Sequence, residues 1–385
     1  MGPSRFTAED QLNMRAMLSI SLASSSLHQA VKPYLYRTIT PPMNVSKSLL
    51  RALLVPPTAR LVQNLSTDGW ISADNQRDNY GPRPPAQIDA AMNDRGLSSG
   101  LMNDIRQCLA YGRVDAMFTI LLLLCTNLRM WMTSFERDCF DTLVIRAMSQ
   151  AIASKSALQH LQELTLQFCI DEEVAGIWEL RPVFEAPRLR EIRGIGITLD
   201  NDGSGDFPDT PHSSIRHIFL VRSNIDIHDG LDILLRGCEC LESLSIEFGG
   251  PNGDIDPVDD YSTFGQALRQ HGTKLVRLRV RRSELDDDET RHRTPLGSLA
   301  ELTSLRELAL SFEALYGDES QLNDRPTWLQ ENLPLSLEAL VIEHVVHTRL
   351  QVVDEQLRRM INDKRFSALK RFHRVPKIIR VHQDA

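Results

Sequence analysis

The chain has 385 residues, of which 42% are hydrophobic and 24% charged, and its formal net charge is -8. That length can bury a large core, and the composition is that of a soluble globular protein. The acidic balance disfavours nucleic acid as a partner, since phosphates need a basic surface, and no apolar run reaches the ~20 residues of a membrane helix.

At the start, Arg5, Glu9, Asp10 and Arg15 interrupt any apolar stretch, so no signal peptide is expected, and a soluble cytoplasmic or nuclear protein is. Residues 18–40 (LSISLASSSLHQAVKPYLYRTIT) predict two helices. Leu18 and Leu22 share one helical face; Leu27, Val31, Leu35 and Tyr36 belong to the second helix, in which Pro33 marks a kink or a turn. Residues 46–70 (SKSLLRALLVPPTARLVQNLSTDGW) predict a helix and then a strand through Val62 and Leu65. From Ser66 to Gly100 no steady period survives, and ADNQRDNYGPRPPAQ marks a long, partly disordered insertion. Next comes MFTILLLLC, residues 117–125, leading into NLRMWM.

Beyond that point one apolar spacing recurs, three residues and then two. It runs through Leu161, Leu164 and Leu166; Ile215, Ile218 and Leu220; Leu241, Leu244 and Ile246. It continues through Leu275, Leu278 and Val280; Leu305, Leu308 and Leu310; Leu337, Leu340 and Ile342. Leu189 and Ile192 keep the first two positions before Gly194 breaks the third, and Leu128 and Leu369 open weaker copies. Neither a helix nor a plain strand gives this spacing. Successive copies start 26 to 34 residues apart. Helix-like stretches precede several of them: DTLVIRAMSQAIAS, HDGLDILLRGC, YSTFGQALRQHG and DEQLRRMINDK. Helix, turn, strand and loop at such a period are the signature of a leucine-rich-repeat solenoid. The expected fold class is therefore α/β, with a curved parallel sheet inside an arc and helices outside. Loop lengths drift because only the triplet and the helix face are held in the core, and doubling a loop costs ~0.6 kcal/mol.

Residues alternating with the triplet point to the concave face. There one strand presents Arg277, Arg279 and Arg281, and its neighbours present Ser243, Ser245 and Glu247, and Glu307, Ala309 and Ser311. The strand from Ile215 presents His217, Phe219 and Val221. Two readings stand side by side. Arginine and aromatic side chains are preferred interface anchors, and three guanidiniums suit an acidic or phosphorylated segment of a protein partner. Glu247 and Glu307 would then repel acidic segments in the wrong register. Alternatively, Arg279 pairs across strands with Glu247 and Glu307, at ~0.2–1 kcal/mol each.

No catalytic, cofactor-binding or metal site is expected. Gly194 and Gly196 lack the third glycine of a dinucleotide fingerprint, and no phosphate-cradling GxxxxGK[ST] loop occurs. The acidic turn 200–206 meets Pro211 where a calcium loop needs a bidentate Glu. Cys238 and Cys240 have no second Cys/His pair at zinc-site spacing, so they are expected as buried thiols acting as small hydrophobes. His344 and His347 in EHVVH do not form HExxH, and no GxSxG elbow exists. An enzyme with an unrecognised pocket is the competing class.

The serine-rich break, apolar helix and YLYRTI exit within residues 18–40 resemble the second half of the F-box carried by fungal F-box/leucine-rich-repeat proteins. LLRALLVPPTARLVQNL (49–65) and GRVDAMFTILLLLCTNLRMW (112–131) are similar to segments that follow in that family, so the resemblance covers residues 18–65 and 100–375. It implies a non-catalytic substrate receptor of a Skp-cullin-F-box ubiquitin ligase. Leu18, Leu22, Leu27, Val31, Leu35 and Tyr36 would face the Skp-family adaptor or cap the first repeat. An F-box usually opens on a Leu-Pro-x-Glu-Ile helix; residues 1–17 (MGPSRFTAEDQLNMRAM) contain no such element, so adaptor binding is expected to be weak. The alternative is a leucine-rich-repeat structural or accessory protein without adaptor binding. The expected organisation is a degenerate F-box-like cap (1–40), a first helix–strand unit (41–65), the insertion (66–100) and an irregular solenoid (101–385).

Overall fold

A computed structural model describes residues 8–40, 53, 56–67, 86–93, 95–111, 113–135, 142–168, 181–199, 214–225, 230–249, 260–282, 294–317, 326–345 and 349–376. The chain divides into two compact units, residues 1–165 with 186–188, and residues 166–185 with 189–385. Both are α/β, and no helix among the described residues is long and apolar enough to cross a membrane.

The first unit opens with helices Ala8–Ala23 and Ser25–Leu35, which pack on each other. The hydroxyl of Ser24 separates them as an N-cap, accepting from the Leu27 amide, so the serine-rich break is a cap in physical terms. The first helix reaches back to Ala8, so the stretch without an adaptor-type motif is nonetheless helical from that residue on. The chain then enters β1 (Thr38–Ile39), which pairs in parallel with β2 (Asn64–Thr67), and β2 pairs in parallel with β3 (Met130–Phe135). β4 (Glu163–Phe168) is next in the strand order, and the division between the units falls within it.

MFTILLLLC becomes the greater part of helix Val114–Leu124, and residues 116–125 are all buried. This helix packs between Ser99–Ala110 and Thr142–Ala153, and its Phe118 ring lies 5.3 Å from Trp131 on β3. A helix apolar all round needs neighbours on every side, and here it has them. Within the segment expected as an insertion, residues 86–93 form a helix; ADNQRDNYGPRPP lies outside the described residues.

The second unit contains β5 (Glu191–Ile195), β6 (Thr198–Leu199), β7 (His217–Ile225), β8 (Ser243–Phe248), β9 (Arg277–Arg282), β10 (Glu307–Ser311), β11 (Ala339–Val345) and β12 (Arg371–Pro376). β5 and β7 to β12 are neighbours in chain order, every pair parallel, and β6 pairs in parallel with β7. Helices Gly230–Gly237, Tyr261–His271 and Leu350–Asn362 precede β8, β9 and β12. Leu244, Leu278, Leu308 and Leu340 are each 1% exposed and stand opposite one another in the register, so the triplets form one continuous apolar face. Burying each such side chain contributes roughly 1.5–3 kcal/mol.

A recurring backbone contact explains how strands keep register while loops vary. At each strand entry one carbonyl accepts two amides of the next repeat: Arg216 O from Glu242 and Ser243, Glu242 O from Val276 and Arg277, Val276 O from Arg306 and Glu307. Hydroxyls add to this ladder, with Ser214 donating to Leu189 O and Ser336 to Leu305 O, both at 2.7 Å. Gly194 occupies the third triplet position because Ile197 fills its space: a Cβ there would lie 2.2 Å from Ile197 Cδ1. Phe372 stands in the triplet register of β12, opposite Leu340, yet is 52% exposed, for no strand covers β12 on its far side among the described residues.

Candidate protein-interaction surface

The face of the second unit opposite the leucines gathers the expected partner-binding residues. Register places Glu191, His217, Ser243, Arg277, Glu307, Ala339 and Arg371 in one cross-strand row. The next row holds Arg193, Phe219, Ser245, Arg279, Ala309, Val341 and His373. Glu247 and Arg281 stand opposite each other beyond it, as do Ser311 and Glu343.

The arginines of β9 are paired, but not all as expected. Arg281 pairs with Glu247, and Arg277 Nε lies 3.8 Å from Glu307. Arg279 reaches neither Glu247 nor Glu307: its Nη2 donates to Glu343 Oε1 at 2.5 Å, two strands away. Ala309, opposite both Arg279 and Val341, is short enough for the guanidinium to pass over β10. Glu343, first of the EHVVH stretch, is thereby a member of the polar face.

The pairs differ in depth. The Glu343 and Glu247 side chains are 9% and 12% exposed, whereas Glu307 is 48% exposed and shared between Arg277 and Arg371, the latter at 3.3 Å. At the other end Arg193 stacks over the Phe219 ring at 4.9 Å and donates to Glu191 at 2.5 Å. Neither Arg193 nor Arg371 stands out in the sequence, because nothing in a single strand shows which exposed arginine meets an aromatic or a carboxylate from another repeat. Ser311 does not present its hydroxyl outward; it is fully buried and caps helix Phe312–Tyr316 through the Ala314 amide.

The second set of candidates lies in the first unit. Leu18, Leu22 and Leu27 are 49%, 87% and 44% exposed, and no residue of Ser25–Leu35 is buried. Val31, Leu35 and Tyr36 are partly exposed. All six side chains thus keep contact with water, in whole or in part.

Among the described residues no three His, Cys, Asp or Glu side chains gather as metal ligands. Cys238 is buried as expected, but Cys240 is exposed, because it precedes the triplet at the strand entry where polar residues sit in other repeats. Cys125 is buried, and desolvation pushes its thiol up to about 12, which keeps it protonated and unreactive. No protein-family model matches the chain, and no curated protein matches it.

Proposed function

We propose that the chain is a non-catalytic protein-interaction receptor of the F-box/leucine-rich-repeat kind, with an N-terminal helix pair that docks a Skp-family adaptor and a repeat sheet that holds a protein substrate. One observation carries this reading. Leu18, Leu22 and Leu27 stand exposed on a helix pair whose chain runs directly into the first strand of a parallel repeat sheet. Exposed apolar side chains that cluster on a helical pair mark an association surface, since water contact with them is unfavourable. Residues 1–17 carry no Leu-Pro-x-Glu-Ile element, and the helix from Ala8 supplies a scaffold on which adaptor contact can form.

Co-purification of the tagged chain tests it. Capture of a Skp-family adaptor and a cullin, abolished by Leu22→Asp with Leu27→Asp, supports the receptor reading. A single stable partner recovered without either would replace it with an accessory scaffold.

A further inference from the structure

We infer that the polar face of the second unit binds an extended, carboxylate-rich segment of another protein, laid across the strands from Arg193 to Arg371 with Arg277 near its centre. This rests on the receptor reading and names the chemistry of the segment received.

Charge complementarity is the first argument. Among the described residues the face carries Arg193, Arg277, Arg279, Arg281 and Arg371 against Glu191, Glu247, Glu307 and Glu343, so the arginines are in excess. The whole chain has a net charge of -8, so an acidic segment is repelled elsewhere and drawn to this face.

The depth of the pairs shows which arginines exchange partners. Arg279 and Arg281 are held by carboxylates that are 9% and 12% exposed. Those pairs are internal ties. Arg277 and Arg371 have side chains 58% and 71% exposed and divide one exposed carboxylate between them, while Arg193, 51% exposed, is anchored by Glu191, 18% exposed, and offers its outer face without giving up that partner. With Glu191 taken by Arg193, the two guanidiniums of Arg277 and Arg371 have one carboxylate, Glu307, between them. An incoming carboxylate can take the place of Glu307 on either guanidinium without stripping a buried group.

Spacing decides between a carboxylate-rich segment and a phosphorylated one. A phosphate is bound best where guanidiniums converge on one point. Arg277 on β9 and Arg371 on β12 meet only at Glu307, which already occupies the point between them, and Arg193 stands apart on β5, so the positive charge is spread along the sheet. With strands ~4.8 Å apart, β5 to β12 spans about 29 Å, which an extended chain crosses in about nine residues. Single charges distributed along a peptide fit that track. The Phe219 ring lies beneath the Arg193 guanidinium and helps fix its place, and the small Ser243, Ser245 and Ala339 leave the path between anchors low.

The test uses the purified full chain and a fluorescein-labelled peptide of alternating Glu and Ser, about nine residues long, followed by fluorescence anisotropy. Arg277→Ala with Arg371→Ala is expected to weaken binding roughly tenfold or more. Glu307→Gln is expected to tighten it, because it frees both arginines; a merely structural role for the row gives no such gain, and this variant keeps the test decisive should the double variant melt early. Arg358→Ala, at a helix arginine 74% exposed beside Glu355, should leave affinity unchanged. Undiminished binding in the Arg277/Arg371 variant, weaker binding in Glu307→Gln, or tighter binding of a neutral peptide with one phosphoserine would overturn the inference. No adaptor is present in this assay, so its failure is separate from any failure of adaptor capture.

Discussion

Arg279 on β9 crosses β10 to reach Glu343 on β11, with Nη2 2.5 Å from Oε1. Because the Glu343 side chain is only 9% exposed, its charge depends on that guanidinium more than on water. Arg279→Glu would leave Glu343 unpaired and facing a like charge. The expected cost is roughly 1–3 kcal/mol, measured by urea denaturation, and the paired swap Arg279→Glu with Glu343→Arg should recover part of it. Wild-type stability in the single reversal would show that the cross-strand tie contributes nothing.

The contrast between Arg279 and its neighbouring leucines shows what was legible in the chain. Leu278 and Val280 are readable because burial imposes a short, local spacing that every repeat repeats. Arg279 is readable as an outward residue by the same alternation. Its partner is not, since Glu343 lies 64 residues away and the choice among Glu247, Glu307 and Glu343 turns on side-chain reach over Ala309. Gly194 appears as a broken triplet in sequence, yet Ile197 fills the gap from outside the motif. The helix from Ala8 is equally hidden, because an adaptor-type motif and a helix are different properties and only the first has a signature.

Leu244 tests the register directly. It is 1% exposed, opposite Ile218 and Leu278 on the two flanking strands. Leu244→Asp places a carboxylate where no partner is available, which costs several kcal/mol. Loss of protection in hydrogen exchange should spread to β7 and β9, because each strand supplies part of the other's interface. Unchanged melting of this variant would mean that the triplet does not form the core.

Asp363 gives a prediction in pH. Its carboxylate accepts hydrogen bonds from the Arg365 side chain, at 2.7 to 3.1 Å, from the Arg365 amide and from Gln330. Chiefly the Arg365 side-chain bonds lower its pKa from 3.8 to about 2. A folded value below the unfolded one means that its stabilisation is complete above 3.8 and is lost as pH falls through about 2. The Asp363 carboxyl carbon signal should titrate near that lower value in the intact chain and move up toward the ordinary range in Arg365→Ala. A midpoint unaffected by that substitution would remove Arg365 as the cause.

The N-terminal helix pair and the first strand should separate in stability measurements. Helix Ser25–Leu35 has no buried residue, and Leu22 is 87% exposed, so the shorter deletion, of residues 1–35, removes little packed area from the described side chains of residues 16–35. β1 is different. Ile39 is 7% exposed, Thr38 and Ile39 stand opposite Asn64 and Leu65, and Arg37 O accepts both the Gln63 and Asn64 amides. Asn64 also donates through its side chain to the Thr38 hydroxyl at 3.0 Å. Deleting residues 1–40 therefore uncovers the edge of β2 and removes Ile39 from beside Leu65, which keeps Trp131 on its other side. The longer deletion is expected to cost roughly 1.5–3 kcal/mol relative to the shorter one, for the apolar area uncovered. Denaturant melts of the two truncations beside the full chain measure the difference. A loss of that size already present in the shorter truncation would show that the helices themselves seal the sheet, and their exposed leucines would then no longer argue for a docking surface.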